Sequence, residues 1–123
     1  MYVGQQTRKH FGFCYRTLIG NDQDSNDHGY KIHIVYDCLA SPSEKQYSTV
    51  NDSPEAITFS WEVTTNPVTI NDSLKPAACI TVDSTKTTSA KLTALEELLY
   101  GKTGQSATQA TLPTPAQVIA ALT

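Results

Sequence analysis

Between His10 and Ile19 the side chains alternate. Phe11, Phe13, Tyr15 and Ile19 fall on one face at period two, and Cys14, Arg16 and Leu18 fall on the other. That period predicts a strand. Gly12, set between two aromatics, predicts a bulge or a close backbone approach. A polar segment with a glycine at each end, Gly20 to Gly29, reads as a loop. The next strand is expected over Tyr30 to Ala40, with Tyr30, Ile32, Ile34, Tyr36 and Cys38 alternating with Lys31, His33, Val35, Asp37 and Leu39. The two strands form a long hairpin in this reading. Ser41 to Pro54 is rich in turn residues, with Tyr47 and Val50 suited to a short edge strand. Ala56 to Thr65 alternates most strictly: Ile57, Phe59, Trp61 and Val63 against Thr58, Ser60, Glu62 and Thr64. One face of such a strand enters a core, so Phe59 and Trp61 are expected as core anchors. Val68 to Ile70 is a further short strand candidate. Ala77 to Asp83 is another, with Ala78, Ile80 and Val82 on one face.

The period changes at Ser84. Residues 84–101 read as a helix, with Leu92, Leu95 and Leu99 at i, i+3 and i+7 and Leu98 widening the stripe. Leu95 and Leu99 are its expected core anchors. Thr88 or Ser89 suits the N-cap, and Gly101 suits the C-terminal cap. Residues 102–114 read as a polar linker to a short last helix, Pro115 to Leu122. That helix has Thr114-Pro115 as its start signal and Val118, Ile119 and Leu122 as its stripe. The order predicts a single α+β domain over 1–123, mainly antiparallel β. It should be sandwich- or barrel-like, with one amphipathic helix packed on it and a short C-terminal helix.

Composition narrows the function. Charged residues make up only 17% of the chain and Ser and Thr replace them, which favours strands. The net charge of -3 argues against a protein that grips nucleic acid through phosphates. Three cysteines, Cys14, Cys38 and Cys79, stand far apart with no CxxC. Each lies in an expected strand, so each reads as a small buried apolar residue in a reducing compartment. No apolar segment resembles a signal peptide or reaches the length of a membrane span.

No nucleophile, phosphate-loop or dinucleotide motif occurs. Asp22, Asp24 and Asn26 match three positions of a calcium loop, but Asp27 stands where glycine is needed and His33 where glutamate is needed. Glu96 and Glu97 are neighbours on a helix and do not face each other. His10, His28 and His33 have no nucleophile set beside them by the sequence. Arg8, Lys9 and Arg16 form a basic cluster too small to offset the acidic charge, suited to solvent or to a subunit contact. The residues thus point away from an enzyme and imply no catalytic, metal or cofactor site.

Several segments, in order, resemble the major tail proteins of long-tailed bacteriophages and prophages of Gram-positive bacteria. They are Phe11-Gly12-Phe13-Cys14-Tyr15-Arg16-Thr17, then Gly20-Asn21-Asp22 and His28-Gly29-Tyr30-Lys31. The stretch from Ser53-Pro54 through Phe59-Ser60-Trp61 to Asn66-Pro67-Val68 follows, then Lys75-Pro76-Ala77-Ala78 and Ile80 to Ser84. Lys91 to Gly101 and Thr111-Leu112-Pro113-Thr114-Pro115-Ala116-Gln117-Val118-Ile119 complete the series.

The resemblance implies a virion subunit, assembled in the bacterial cytoplasm. Such subunits form hexameric rings that stack into the tail tube, contact other tail proteins and let DNA pass the lumen without specific binding. The hairpin loop, with Asn21, Asp22, Asp24, Asn26, Asp27 and His28, becomes the expected subunit contact, ordering on assembly. In one respect the chain departs from the family, which carries further strands before the segment matching Tyr2 to Phe11. The chain therefore reads as a shortened member. A β-sandwich binding module, an adhesin for carbohydrate or protein, is the alternative, with Trp61 as a stacking platform.

Overall fold

A computed structural model describes residues 8–42 and 60–123. It is an antiparallel four-stranded sheet with two helices, an α+β fold. The strands are β1 (Phe11–Asn21), β2 (Ser25–Pro42), β3 (Trp61–Thr65) and β4 (Cys79–Asp83). The helices are α1 (Ser89–Tyr100) and α2 (Pro115–Leu122). Among the described residues the sheet is not closed into a barrel and all the named strands belong to it, so of the sandwich- or barrel-like sheet expected, one open layer is present there. Phe59, Tyr47 and Val50 lie outside the described residues.

β2 is the spine. β1 pairs along one side of it. On the other side β4 takes Lys31 to Val35, and β3 takes Cys38 to Pro42. Directly opposed residues share a face. Cys14, Ile34 and Ile80 therefore lie in one row across the sheet, and Tyr15, His33 and Thr81 in the next row on the other face. The first face receives the helices. Ile32, Ile34 and Tyr36 pack with Val82, with Leu92, Leu95 and Leu99 of α1 and with Val118 of α2. Cys14, Tyr30, Val68, Ile80 and Leu122 border this cluster. Leu95 is fully buried and Leu99 nearly so, whereas Leu98 is exposed.

The hairpin is tighter than its polar sequence suggests. β1 runs on to Asn21 and β2 begins at Ser25, leaving a turn at Asp22–Asp24 in place of a loop from Gly20 to Gly29. Asn21 accounts for this. Its Oδ1 accepts from the backbone N–H groups of Gln23 (3.1 Å) and Asp24 (2.5 Å), and Ser25 takes a left-handed φ of 52°. An Asx turn of this kind replaces backbone pairing locally. A bulge lies opposite Gly12, on β2 rather than at the glycine: the register slips between Phe11 and Phe13, leaving Tyr36 and Asp37 against Gly12, and Asp37 has a φ of 47°. The side chain of Leu112 also sits where a Cβ on Gly12 would project, so the backbone approach is close as well.

α1 starts at the cap expected at Thr88, inside the span 84–101 that its periodicity implies. Asp83 Oδ1 accepts from Thr85 N (2.9 Å) and Thr85 Oγ1 (2.7 Å), and Ser84 extends the ladder through Ser84 N to Tyr30 O (3.0 Å). These local bonds compete with helix formation until Thr88, the N-cap. Gly101 ends the helix with φ 78°. The segment after it is pinned rather than a free linker. Lys102 and Thr108 exchange two backbone hydrogen bonds of 3.0 Å, and Thr111 N donates to Leu98 O. α2 has a capping box: Thr114 Oγ1 accepts from Gln117 N, and Gln117 Oε1 accepts from Thr114 N.

Candidate assembly surface

The second face of the sheet has no layer over it among the described residues. Tyr15 stacks on His33 with ring centroids 4.7 Å apart, Phe13 lies 6.0 Å from Tyr15, and Phe11 lies 6.1 Å from Phe13. The three aromatics form a row along β1, each between 36% and 47% exposed. β3, paired to β2 over Cys38 to Pro42, is exposed along its whole length, Val63 and Trp61 included.

The expectation that Trp61 anchors the core is therefore corrected: it is 63% exposed. β3 pairs the far end of β2, Cys38 to Pro42, whereas the core cluster draws on β2 only at Ile32, Ile34 and Tyr36. All five β3 residues are exposed as a result. The cysteines divide in the same way. Cys38 is buried and Cys14 half-buried, but Cys79 is exposed, contrary to the expectation that all three are buried. Burial pushes the Cys38 thiol above its ordinary pKa.

Polar groups line the rest of the open face. His33 is held between two threonines, with Nε2 2.9 Å from Thr17 Oγ1 and Nδ1 3.0 Å from Thr81 Oγ1. Lys31 and Asp83 are paired across β2 and β4. Hydrogen bonds from the Thr85 side chain and backbone hold Asp83 below the usual carboxylate range. His10 Nδ1 stands 2.7 Å from Asp37 Oδ1.

Asn21, Asp22, Asp24, Asn26, Asp27 and His28 meet at the hairpin tip, all exposed. His28 Nδ1 lies 2.9 Å from Asn21 Nδ2 and 3.3 Å from Asp24 Oδ2, and Asp27 N donates to Asp24 O. The tip is thus tied internally and is not the loose loop expected from sequence. The basic cluster separates. Arg8 donates to Ala40 O and Ser41 Oγ at one end of the hairpin, while the Arg16 guanidinium lies over the Tyr30 ring, 4.9 Å from its centroid, beside the core.

Among the described residues no group of three His, Cys, Asp or Glu side chains is gathered for a metal. No helix among them is long and apolar enough to cross a membrane. A cavity of about 290 Å³ between α1, α2 and the 102–110 segment is lined by Ala94, Glu97, Leu98, Thr108, Gln109 and Ala121. It holds one ionisable side chain, too few for acid–base chemistry by a pair.

The exposed aromatic row escaped the sequence reading. Its signal was the hairpin register. With the turn at Asp22–Asp24, Tyr15 falls opposite His33 and Thr17 opposite Lys31, which places the aromatic side of β1 on the polar side of β2.

Comparison of the chain with known protein families, curated proteins and solved structures found no match in any of the three.

Proposed function

We propose that the chain is a non-catalytic structural subunit of a phage tail tube, one that associates with copies of itself into rings, six to a ring, around a DNA-conducting channel. One observation carries this reading. A one-layer sheet leaves an aromatic face uncovered and a long edge strand, β1, with only β2 beside it among the described residues. Exposed apolar patches and open edges of this kind mark association surfaces. The ordered resemblance from Phe11 to Ile119 supplies the kind of assembly. The net charge of -3 suits a wall that lets a duplex pass without holding it. The place of action is then the virion, after assembly in the bacterial cytoplasm, with other tail proteins as further partners.

Negative-stain imaging and light scattering of the purified chain test the reading. Rings or tubes are expected as concentration rises. A chain that forms no ring or tube at any accessible concentration, even when joined to a complete tail-protein N-terminal part, overturns it.

The exposure of Trp61 favours a second reading, a module that stacks its aromatics on a sugar ring. Under that reading a glycan array gives binding that is lost in Trp61→Ala while the fold persists.

A further inference from the structure

We propose that β1 also pairs with β1 of a second copy across a two-fold axis, giving a closed dimer in which Tyr15 lies opposite its own counterpart. This goes beyond the tube reading and does not depend on it. A two-fold contact is complete at two copies and does not propagate, so it withholds the edge from ring growth.

The backbone defines which groups are free. Ser84 N donates to Tyr30 O and Tyr36 N donates to Ala78 O, so the even-numbered residues of β2 direct their backbone groups at β4. Antiparallel ladders alternate, so Lys31, His33 and Val35 direct theirs at β1. Their partners Thr17, Tyr15 and Phe13 are consumed in that ladder. The N–H and C=O groups of Cys14, Arg16 and Leu18 then point out at an edge that is open among the described residues. The strand itself carries none of the usual side-chain guards. Phe11–Asn21 contains no proline and no lysine, and its one charged residue, Arg16, is drawn over Tyr30.

Charge and shape select the copy and the register. Arg8 and Lys9 stand at the start of the strand, and Asp22 and Asp24 stand at the turn that ends it. Antiparallel pairing of two such strands sets the basic end of each beside the acidic turn of the other. With Tyr15 on the axis, Lys9 lies opposite Asn21 of the second copy, next to that turn. Phe11 then lies opposite the second copy's Ile19 and Phe13 opposite its Thr17, which joins the two aromatic rows into one. On the other face Leu18, 62% exposed, lies opposite the second copy's Gly12. Leu112, itself exposed, covers that glycine in each chain, so Leu18 meets an apolar partner. A slip of one ladder step toward the turn places Arg16 against itself, a like-charge pair that opposes that register.

Sedimentation and hydrogen exchange of the full chain test this. Amides of Cys14, Arg16 and Leu18 are expected to gain protection as concentration rises, while those of Phe13, Tyr15 and Thr17 are protected throughout. Arg16→Pro removes an N–H that is unpaired among the described residues, so the fold remains by circular dichroism and the dimer is lost, whereas Arg16→Ala keeps it. Tyr15→Cys, in a chain also carrying Cys14→Ser and Cys79→Ser, forms a 15–15 disulfide on mild oxidation, because opposed residues without mutual hydrogen bonds lie closest. A chain that stays monomeric at millimolar concentration overturns the proposal. So does a dimer or ring in which residue 15 never cross-links to its counterpart. Dimers without rings uphold this proposal while counting against the tube.

Discussion

Tyr36 and Pro113 tie the sheet to the segment that leads into α2: Tyr36 Oη donates to the Pro113 carbonyl at 2.8 Å. Both residues are buried. Tyr36→Phe leaves that carbonyl without its donor, and a loss of about 1–3 kcal/mol is expected in urea unfolding.

The same tyrosine gives the fold an alkaline limit. Burial pushes its hydroxyl from 10.0 up to about 12. A group raised in the folded state contributes fully below its unfolded pKa and loses that contribution as pH rises toward the folded value. Stability is therefore expected to fall between pH 10 and about 12. Tyr36→Phe should flatten that limb, as read by unfolding midpoints across the range.

Leu95 and Trp61 separate core from surface. Leu95 is fully buried against β2, and Leu95→Ala is expected to cost about 2–5 kcal/mol in the monomer. Trp61→Ala should stay within about 0.5 kcal/mol under dilute conditions, as an exposed substitution does. Chemical unfolding of both variants at low concentration makes the comparison, and a large loss in Trp61→Ala contradicts the open face.

Gly101 and Gly104 offer a second contrast. Both have positive φ, 78° and 116°. A Cβ on Gly101 would stand 2.7 Å from Thr108 O and 2.9 Å from Ala110 N, whereas Gly104 has nothing within 4 Å. Gly101→Ala therefore adds a backbone clash to the dihedral strain and should exceed the roughly 1–3 kcal/mol that strain alone costs. Gly104→Ala should show the strain alone. Thermal unfolding of the two variants measures the difference.

What the sequence disclosed depended on whether the signal was local. Thr114 and Pro115 determine the start of α2 through contacts within four residues, and α2 begins where they direct. Leu92, Leu95 and Leu99 identify the buried side of α1 by period alone. The start of α1 was legible from Thr88 as a cap residue, whereas the helical period ran on to Ser84, where Asp83 and Thr85 close a turn that helix propensity does not report. The hairpin tip was hidden because asparagine and aspartate suit a loop and an Asx turn equally. Trp61 was misplaced for a different reason. Alternation separates two faces but does not say which of them a helix will cover; that depends on α1 docking against Ile32 to Tyr36, sixty residues away in the chain. The polar residues of the tip are legible as neighbours because they are contiguous in the chain. The aromatic row toward the other end of β1 is not, since only the register with β2 exposes it.

The long reach between β2 and α1 has a cost during synthesis. β1 and β2 are adjacent and their hairpin closes early, because its loop entropy is small. Leu95, which covers it, leaves the ribosome only after about sixty more residues, a delay of several seconds at usual elongation rates. Through that interval Ile32 and Ile34 are as bare as Phe13 and Tyr15. The nascent hairpin is thus a ribbon sticky on both sides, and a chain released before Leu95 has neither side shielded. Chaperone capture should peak over that window of elongation and fall once α1 has emerged.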